Sequence, residues 1–108
     1  MKKLFFLLLL LIFLNCDLNK SYDFAYRIET DEAITSDVTY YLDGVYENER
    51  ITTPWQSDSM EIADDYFSFY IELEYSPSGG RFYILRDGKI WRTQSFFPGS
   101  WIEFSEDN

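Results

Sequence analysis

Few side chains in this sequence are suited to catalysis. The 108 residues include no histidine and a single cysteine, Cys16, so neither a Ser-His nor a Cys-His nucleophile can be assembled. The remaining candidates for proton transfer are two pairs of carboxylates, Glu72 with Glu74 and Asp64 with Asp65. Glu72 and Glu74 lie two residues apart in a strand-like segment, so both face outward, where solvated charge is expected. We therefore predict that the protein is not an enzyme.

Metal and cofactor binding are not predicted either. Zinc sites draw mainly on histidine and cysteine, which this chain lacks apart from Cys16. A calcium loop needs spaced Asp or Asn residues with a glycine, and Asp64-Asp65 does not follow that pattern. We expect no cofactor.

The charge of the chain argues against another class of partner. Nine basic residues stand against 19 acidic ones, a formal net charge of −10. Without Lys2 and Lys3, which lie in an N-terminal segment that we expect to be removed, 7 basic residues remain and the net charge is −12. Such a surface repels phosphate backbones, so no nucleic-acid partner is predicted. Solubility alone is the plainest explanation of the charge.

The N-terminal segment has the pattern of a signal peptide. Lys2 and Lys3 precede an unbroken apolar run from Leu4 to Leu14. A helix of this length spans roughly 16 Å, about half of the ~30 Å hydrocarbon core of a bilayer. The run is therefore too short to cross a membrane and fits the apolar region of a signal peptide.

The residues that follow resemble the lipobox of bacterial lipoproteins. They are Phe13-Leu14-Asn15-Cys16, with Asn15 where most lipoboxes carry Gly, Ala or Ser. The resemblance implies diacylation of the Cys16 thiol, cleavage before it and often acylation of the new amino group. The alternative is an ordinary free cysteine at the end of an uncleaved anchor.

This resemblance implies an organisation in three parts. We predict a signal peptide over 1–15, an acylated cysteine with a tether over 16–21, and a domain over 22–105. Two or three acyl chains hold a protein stably on a membrane. We expect the protein in the cell membrane or outer membrane, with its domain facing the periplasm or the exterior.

The segment from Tyr66 to Ser95 has the strongest strand pattern. Apolar residues alternate with more polar ones from Tyr66 to Tyr75, as in a strand with one buried face. The next residues, Ser76 to Gly80, favour a turn with positive φ angles. Asp87-Gly88 between two further apolar segments predicts a type I′ hairpin. The segment as a whole predicts a three-stranded antiparallel meander.

Shorter strands fill the rest of the domain. The predicted strands cover Tyr22–Thr30, Asp37–Leu42, Val45–Thr52, Ser57–Ile62 and Trp101–Phe104. Asp43-Gly44 marks a second hairpin, and Pro54 makes Trp55 the start of a crossing or an edge segment. Seven or eight short strands without a helix predict an all-β fold, a small antiparallel β-sandwich of immunoglobulin-like or transthyretin-like character.

Several of these motifs, taken in order, resemble the soluble domain of the MmpS family of small mycobacterial membrane proteins. They are Val38-Thr39-Tyr40, Thr53-Pro54-Trp55, Phe69 to Leu73 and Asp87-Gly88-Lys89. The resemblance covers roughly residues 22–104. It implies a membrane-tethered β-sandwich that acts as an accessory to RND-type exporters of lipids or siderophores.

The chain departs from that family in two ways. Family members use an N-terminal transmembrane helix, whereas this chain is expected to use a lipid on Cys16. They also commonly carry a cysteine pair that ties the hairpin strand to the last strand. The corresponding regions here contain Phe82 and Phe104, so the resemblance implies an aromatic contact in place of the covalent one.

The sequence is compatible with two functions. One is an accessory protein docked on a membrane partner such as an RND-type exporter; the other is a surface or periplasmic binding module for a carbohydrate or peptide. Trp55, Trp91 and Trp101 are the candidate interaction residues, since exposed rings stack on sugars or anchor interfaces. Trp91 shares its strand face with Lys89 and Thr93, so we expect it to point outward. Trp91→Ala is then predicted to weaken partner binding more than stability.

Overall fold

A computed structural model of the chain describes residues 21–42, 44–63 and 68–106, and these ranges contain nine strands and no helix. The strands are β1 (Ser21–Thr30), β2 (Thr35–Leu42), β3 (Val45–Thr52), β4 (Trp55–Gln56), β5 (Met60–Ala63), β6 (Phe69–Ser76), β7 (Gly80–Arg86), β8 (Lys89–Phe96) and β9 (Gly99–Glu106). The predicted all-β class is confirmed, with nine strands instead of seven or eight.

The predicted signal peptide, Cys16 and most of the tether lie outside the described residues. Within the described ranges, no helix is long and apolar enough to cross a membrane.

The strands form two antiparallel sheets. In sheet A, β4 and β5 both pair with one edge of β1, and β7 and β8 follow on its other side. In sheet B, the order is β3-β2-β6-β9. The chain therefore passes repeatedly from one sheet to the other, and each sheet gathers strands that are distant in sequence.

The predicted three-stranded meander is wrong. β6 pairs with β2 and β9 in sheet B, whereas β7 and β8 belong to sheet A. The alternation of apolar and polar residues determines which face of a strand is buried, but it does not determine which other strand pairs with it. The predicted positive φ angles are also absent from Gly79 and Gly80. Gly80 is instead needed for close approach, because an added Cβ would lie 2.3 Å from the Glu29 carbonyl oxygen.

Both predicted hairpins are confirmed. Asp87 and Gly88 have φ angles of 51° and 79° between β7 and β8, as a type I′ turn requires. Gly44 has a φ of 85°, and the pairing of Leu42 with Val45 closes the β2–β3 hairpin around it. Asp43 itself lies outside the described residues.

The core lies between the two sheets and is built from alternate residues of each strand. In β1, Phe24, Tyr26 and Ile28 are buried, as their spacing predicts. The rings of Phe82 in sheet A and Phe104 in sheet B stack with centroids 6.0 Å apart, so the expected aromatic contact between them is confirmed.

Candidate binding face

The outer face of sheet B, formed by the side chains that point away from the core, is the candidate functional surface. Val38, Ile71 and Leu73 are fully buried on the inner side of this sheet. Because side chains alternate along a strand, the residues between them point outward. The strand register then places the outward residues in rows that cross the sheet.

One of these rows is aromatic. Tyr41 of β2 is paired with Tyr46 of β3 on one side and with Tyr70 of β6 on the other. The rings of Tyr41 and Tyr46 lie 4.8 Å apart at an angle of 50°. Tyr46 is 69% exposed. Since neighbouring strands lie about 4.8 Å apart, the row extends about 10 Å across the sheet.

The adjacent row is polar and acidic. Asn48 donates a hydrogen bond from Nδ2 to Thr39 Oγ1 at 2.6 Å, and Thr39 is paired with Glu72. Glu72 is in turn paired with Glu103 of β9. Like charges directly opposite each other on one face destabilise a sheet. The Glu72–Glu103 pair is therefore a site where a cation would be favourable.

Tyr70 links the aromatic and acidic rows. Partial burial, a side-chain hydrogen bond to Glu72 and the negative charges of Glu72 and Glu103 raise the pKa of Tyr70 to about 12. The carboxylate accepts from the phenol and favours its neutral form. Tyr70 therefore stays protonated well above neutral pH.

Trp101 also exposes its side chain on sheet B, although its backbone conformation is unfavourable for a residue with a Cβ. It lies in β9 between Ser100, which is paired with Tyr75, and Ile102, which is paired with Leu73. Its φ of 53° is in the left-handed region, and its side chain is 63% exposed. This conformation costs a bulky residue on the order of 1–3 kcal/mol. The exposed ring offers little burial in compensation, which points to a role in binding.

Of the three predicted interaction residues, Trp55 lies at the edge of sheet A. It is half-buried, its Nε1 donates to Glu49 Oε1 at 2.9 Å, and its ring centroid lies 5.4 Å from that of Tyr40. Burial and the negative charge of Glu49 raise the pKa of Tyr40. Trp55 therefore helps to join sheet A to the β3 edge of sheet B.

The expected outward orientation of Trp91 is wrong. Trp91 is half-buried against the core, with its ring edge-to-face on Phe24 at 5.4 Å. The cause is a bulge: Ile84 is paired with Arg92, but Leu85 is paired with Ile90, so Trp91 is an extra residue in β8. The bulge breaks the alternation on which the prediction depended. Ile90, expected to point inward, is 62% exposed.

The three tryptophans therefore do not form one site, and sequence reasoning missed the tyrosines that accompany Trp101. A signal for them was present. A two-residue turn at Asp43-Gly44 places Tyr41 opposite Tyr46. Tyr70 occupies one of the more polar alternate positions of its strand, which marks it as outward-facing.

Charge is divided unequally between the two sheets. The strands of sheet B carry seven carboxylates and a single cationic side chain, that of Arg50. Arg50 Nη1 lies 3.4 Å from Asp37 Oδ1. The strands of sheet A carry three carboxylates and five cationic side chains. Most of the negative charge on the strands therefore belongs to the sheet with the aromatic face.

Across residues 21–42, 44–63 and 68–106, no three His, Cys, Asp or Glu side chains are grouped closely enough to hold a metal ion.

No protein-family model, curated protein or solved structure matches this chain. The resemblances to the lipobox and to the MmpS family therefore stay predictions.

Proposed function

We propose that this chain is a lipid-anchored, non-enzymatic protein of the bacterial cell envelope that binds a basic partner protein through the outer face of sheet B. The observation that supports this function is the combination of exposed aromatic rings with an excess of carboxylates on one sheet face. Tyr46 and Trp101 provide the exposed rings, and Glu72, Glu74 and Glu103 provide the charge.

The charges favour a cationic partner. Among the residues that the structure describes, none of Glu72, Glu74 and Glu103 has a cationic group within 4.0 Å. An arginine or lysine from a partner would offset the repulsion between Glu72 and Glu103. Guanidinium groups also bind to the faces of tyrosine and tryptophan rings. The same face can therefore satisfy both the charge and the flat surface of an arginine.

The predicted lipid on Cys16 gives this binding a location at the membrane. Two or three acyl chains would hold the domain close to membrane proteins. The MmpS resemblance implies an RND-type exporter as the partner class. We propose such a transport complex, or another envelope protein with a basic surface, as the partner.

A pull-down with matched variants tests the proposal. The full chain is expressed with its own signal, solubilised gently and captured, and co-purifying proteins are identified by mass spectrometry. Tyr46→Ala combined with Glu103→Gln alters the proposed face. Phe97→Ala removes an aromatic side chain that is 89% exposed outside this face. Cys16→Ala removes the anchor.

We expect the wild type and Phe97→Ala to recover the same membrane protein, and the face variant to lose it. Recovery should also fall with added salt, because exposed ion pairs are screened. Equal recovery with the face variant and the wild type would show that this face is not the binding surface. Loss of the partner only in Cys16→Ala would show that anchoring, without this face, brings the two together.

A carbohydrate ligand is the second candidate, and the tyrosine row favours it. Three neighbouring tyrosines beside the hydrogen-bonding pair Asn48 and Thr39 are suited to stacking on sugar rings. Titration with neutral oligosaccharides distinguishes this ligand from a basic protein. Binding to a neutral sugar should respond little to salt, whereas binding to a basic protein should weaken.

A further inference from the structure

One edge of sheet B presents a row of backbone groups that the sheet itself does not use. β3 pairs with β2 on one side and forms the outer edge of the sheet on the other. Its residues from Val45 to Arg50 are all exposed. Backbone N–H and C=O groups require hydrogen-bond partners, so an uncovered edge is a template for pairing with another strand.

The hairpin register shows on which side the backbone groups of β3 lie. Leu42 and Val45 close a two-residue turn and are therefore a hydrogen-bonded pair. Because such pairs alternate along antiparallel strands, every second residue after Val45 bonds to β2. Thr53 continues this alternation beyond the end of β3, since its backbone nitrogen donates to the Ile34 carbonyl oxygen at 2.9 Å.

The intervening residues of β3, which are Tyr46, Asn48 and Arg50, direct their N–H and C=O groups to the free edge. In the part of the chain that the structure describes, no other strand or turn supplies a backbone hydrogen bond to these groups. The edge thus offers alternating donors and acceptors to which the strand of another protein can pair.

The other edges of the two sheets are less suited to such pairing. β4 and β5 are only two and four residues long. In β9, Gln94 Nε2 donates to the Glu103 carbonyl oxygen at 3.0 Å, and Trp101 has its irregular φ of 53°. In β8, the extra residue Trp91 forms a bulge. Short strands and bulges protect sheet edges, whereas β3 is eight residues long and pairs with β2 without interruption.

The side chains of β3 indicate which kind of strand would pair with it. Glu47 is paired with Tyr40, which packs against the core. Glu49 is paired with the buried Val38 and accepts a hydrogen bond from Trp55 Nε1 at 2.9 Å. Both carboxylates therefore lie on the inner side of sheet B, along its free edge. Among the described residues, neither has a cationic group within 4.0 Å.

Two further observations show that this inner margin is negatively charged. Burial and the negative charges of Glu49, Glu47 and Asp58 raise the pKa of Tyr40. Arg50, the cationic residue of β3, alternates with Glu49 and so lies on the outer face, where it is already ion-paired. The inner margin therefore attracts cationic side chains.

The same carboxylates disfavour pairing between two copies of this chain. If two β3 strands paired antiparallel about Asn48, Glu47 of each copy would lie opposite Glu49 of the other. Like charges in opposite positions destabilise a sheet, and inward-pointing charges protect edges from self-association. A strand with cations at these positions would replace the repulsion by attraction.

We propose that β3 binds an extended segment of a basic partner protein as a fifth strand of sheet B. The segment pairs antiparallel with Tyr46 to Arg50 and places arginine or lysine opposite Glu47 and Glu49. These are non-hydrogen-bonded pairs, in which opposed side chains lie closest. The inference rests on the proposed function for the basic partner and specifies the conformation in which that partner binds. The intervening side chains of the segment lie beside Tyr46 and Asn48 and extend the outer face.

Synthetic peptides test strand addition to the full chain, which is expressed with its own signal and solubilised in a mild nonionic detergent. The probe is a fluorescent peptide with blocked ends, Val-Arg-Val-Arg-Val, and its binding is measured by polarisation. A permuted peptide, Arg-Arg-Val-Val-Val, has the same charge without the alternation. Two further versions of the probe carry N-methyl groups, either on two valines or on both arginines.

The register predicts how each peptide binds. The valines pair with Tyr46, Asn48 and Arg50 and turn their N–H groups toward β3, whereas the N–H groups of the arginines point away. N-methylation of the valines should therefore abolish binding, and N-methylation of the arginines should leave it nearly unchanged. The permuted peptide should bind more weakly, because it cannot direct one arginine to each glutamate.

Hydrogen exchange of the backbone amides, measured by NMR, provides a second readout. Bound probe should slow exchange at Tyr46, Asn48 and Arg50, whose N–H groups gain a partner. Exchange at Glu47 and Glu49 should change little, because their N–H groups already bond to β2.

Charge variants test the two glutamates. Glu47→Gln and Glu49→Gln should each weaken binding of the alternating peptide by about twofold to fivefold, as expected for the loss of one pair of opposite charges across two strands. Glu32→Gln, in the exposed connection between β1 and β2, is the matched control and should leave the affinity unchanged.

Three results would overturn strand addition. If the two N-methylated peptides bind alike, charge alone attracts the peptide, and the basic-partner function stands without strand pairing. If no peptide binds but the pull-down recovers a partner through the outer face, that partner does not add a strand to β3. Loss of both peptide binding and partner recovery would overturn the proposed function together with this inference.

Discussion

The hydroxyl oxygen of Tyr26, in sheet A, lies 3.1 Å from the backbone nitrogen of Tyr70, in sheet B, and accepts its hydrogen bond. The same hydroxyl donates to the Tyr41 carbonyl oxygen at 2.5 Å. Tyr41 and Tyr70 are directly paired between β2 and β6. A fully buried side chain of one sheet thus bonds the backbone of two strands of the other, directly beneath the tyrosine row.

Tyr26→Phe should lower stability by removing both bonds while keeping the ring. Leaving buried backbone groups without a partner costs about 1–3 kcal/mol, and we expect a loss of free energy of unfolding in that range. Urea unfolding measures it. Tyr75→Phe is the control, since Tyr75 is 54% exposed, and it should change stability by less than about 0.5 kcal/mol. An equal loss in both variants would contradict the bridging role of Tyr26.

Trp91→Ala should lower stability rather than weaken partner binding alone, contrary to what the expected outward orientation predicted. The ring packs edge-to-face on Phe24, and its removal opens a space at the margin of the core. Full deletion of a core tryptophan costs about 3–5 kcal/mol, so about 2 kcal/mol is expected for a half-buried one. Thermal or urea unfolding measures the change. A variant as stable as the wild type would mean that the ring contributes little to the core.

Trp101→Gly and Trp101→Ala should differ in stability although both remove the ring. Glycine adopts the φ of 53° without strain, whereas alanine retains the unfavourable contact of its Cβ. We expect Trp101→Gly to be more stable than Trp101→Ala by about 1 kcal/mol, and both to bind the partner less tightly. Unfolding and binding are measured on the same preparations. If either variant binds the partner as tightly as the wild type, Trp101 does not belong to the proposed binding face.

Stability should fall between about pH 10 and pH 12 because of Tyr70. The tyrosine ionises near its ordinary pKa of 10.0 in the unfolded chain but near 12 in the folded one. The unfolded state therefore releases its proton first, and unfolding becomes more favourable as the pH rises through this interval. Burial also raises the pKa of Tyr26 above its ordinary value of 10.0, so Tyr26 adds to the loss from about pH 10 and continues it at higher pH.

Glu72→Gln should lower the pKa of Tyr70, because it removes a carboxylate that favours the neutral phenol. Phenolate absorbance during an alkaline titration reports the change. Glu74→Gln, on the same strand β6, removes the same charge as a control, because Glu72 and Glu103 are the carboxylates that raise the pKa of Tyr70. If the two variants titrate alike, the hydrogen bond between Tyr70 and Glu72 does not set this pKa.

Local sequence patterns predicted the parts of the fold that depend on near neighbours. The alternation of Phe24, Tyr26 and Ile28 fixes the buried face of β1, and the pair Asp87-Gly88 fixes the register of its hairpin. Each of these features depends on the backbone preferences of a few consecutive residues.

Pairing between distant strands was not predictable in the same way. Whether β6 pairs with β7 or with β2 depends on how the two sheets close over the core, which no short segment encodes. The bulge at Trp91 similarly depends on how β8 fits along β7. The candidate face was therefore only partly predicted: Trp101 was named, but its tyrosine and glutamate neighbours required the register of four strands.

The unequal charge of the two sheets gives the domain a permanent electric dipole directed across the sandwich. A basic protein that diffuses toward the domain experiences a torque as well as an attraction. The two molecules therefore first meet with sheet B facing the basic protein. Orientation before contact raises the rate of association and has little effect on the lifetime of the complex. In dilute salt the domain would therefore capture the proposed basic partner quickly, and added salt would slow this association before it shortened the lifetime of the complex.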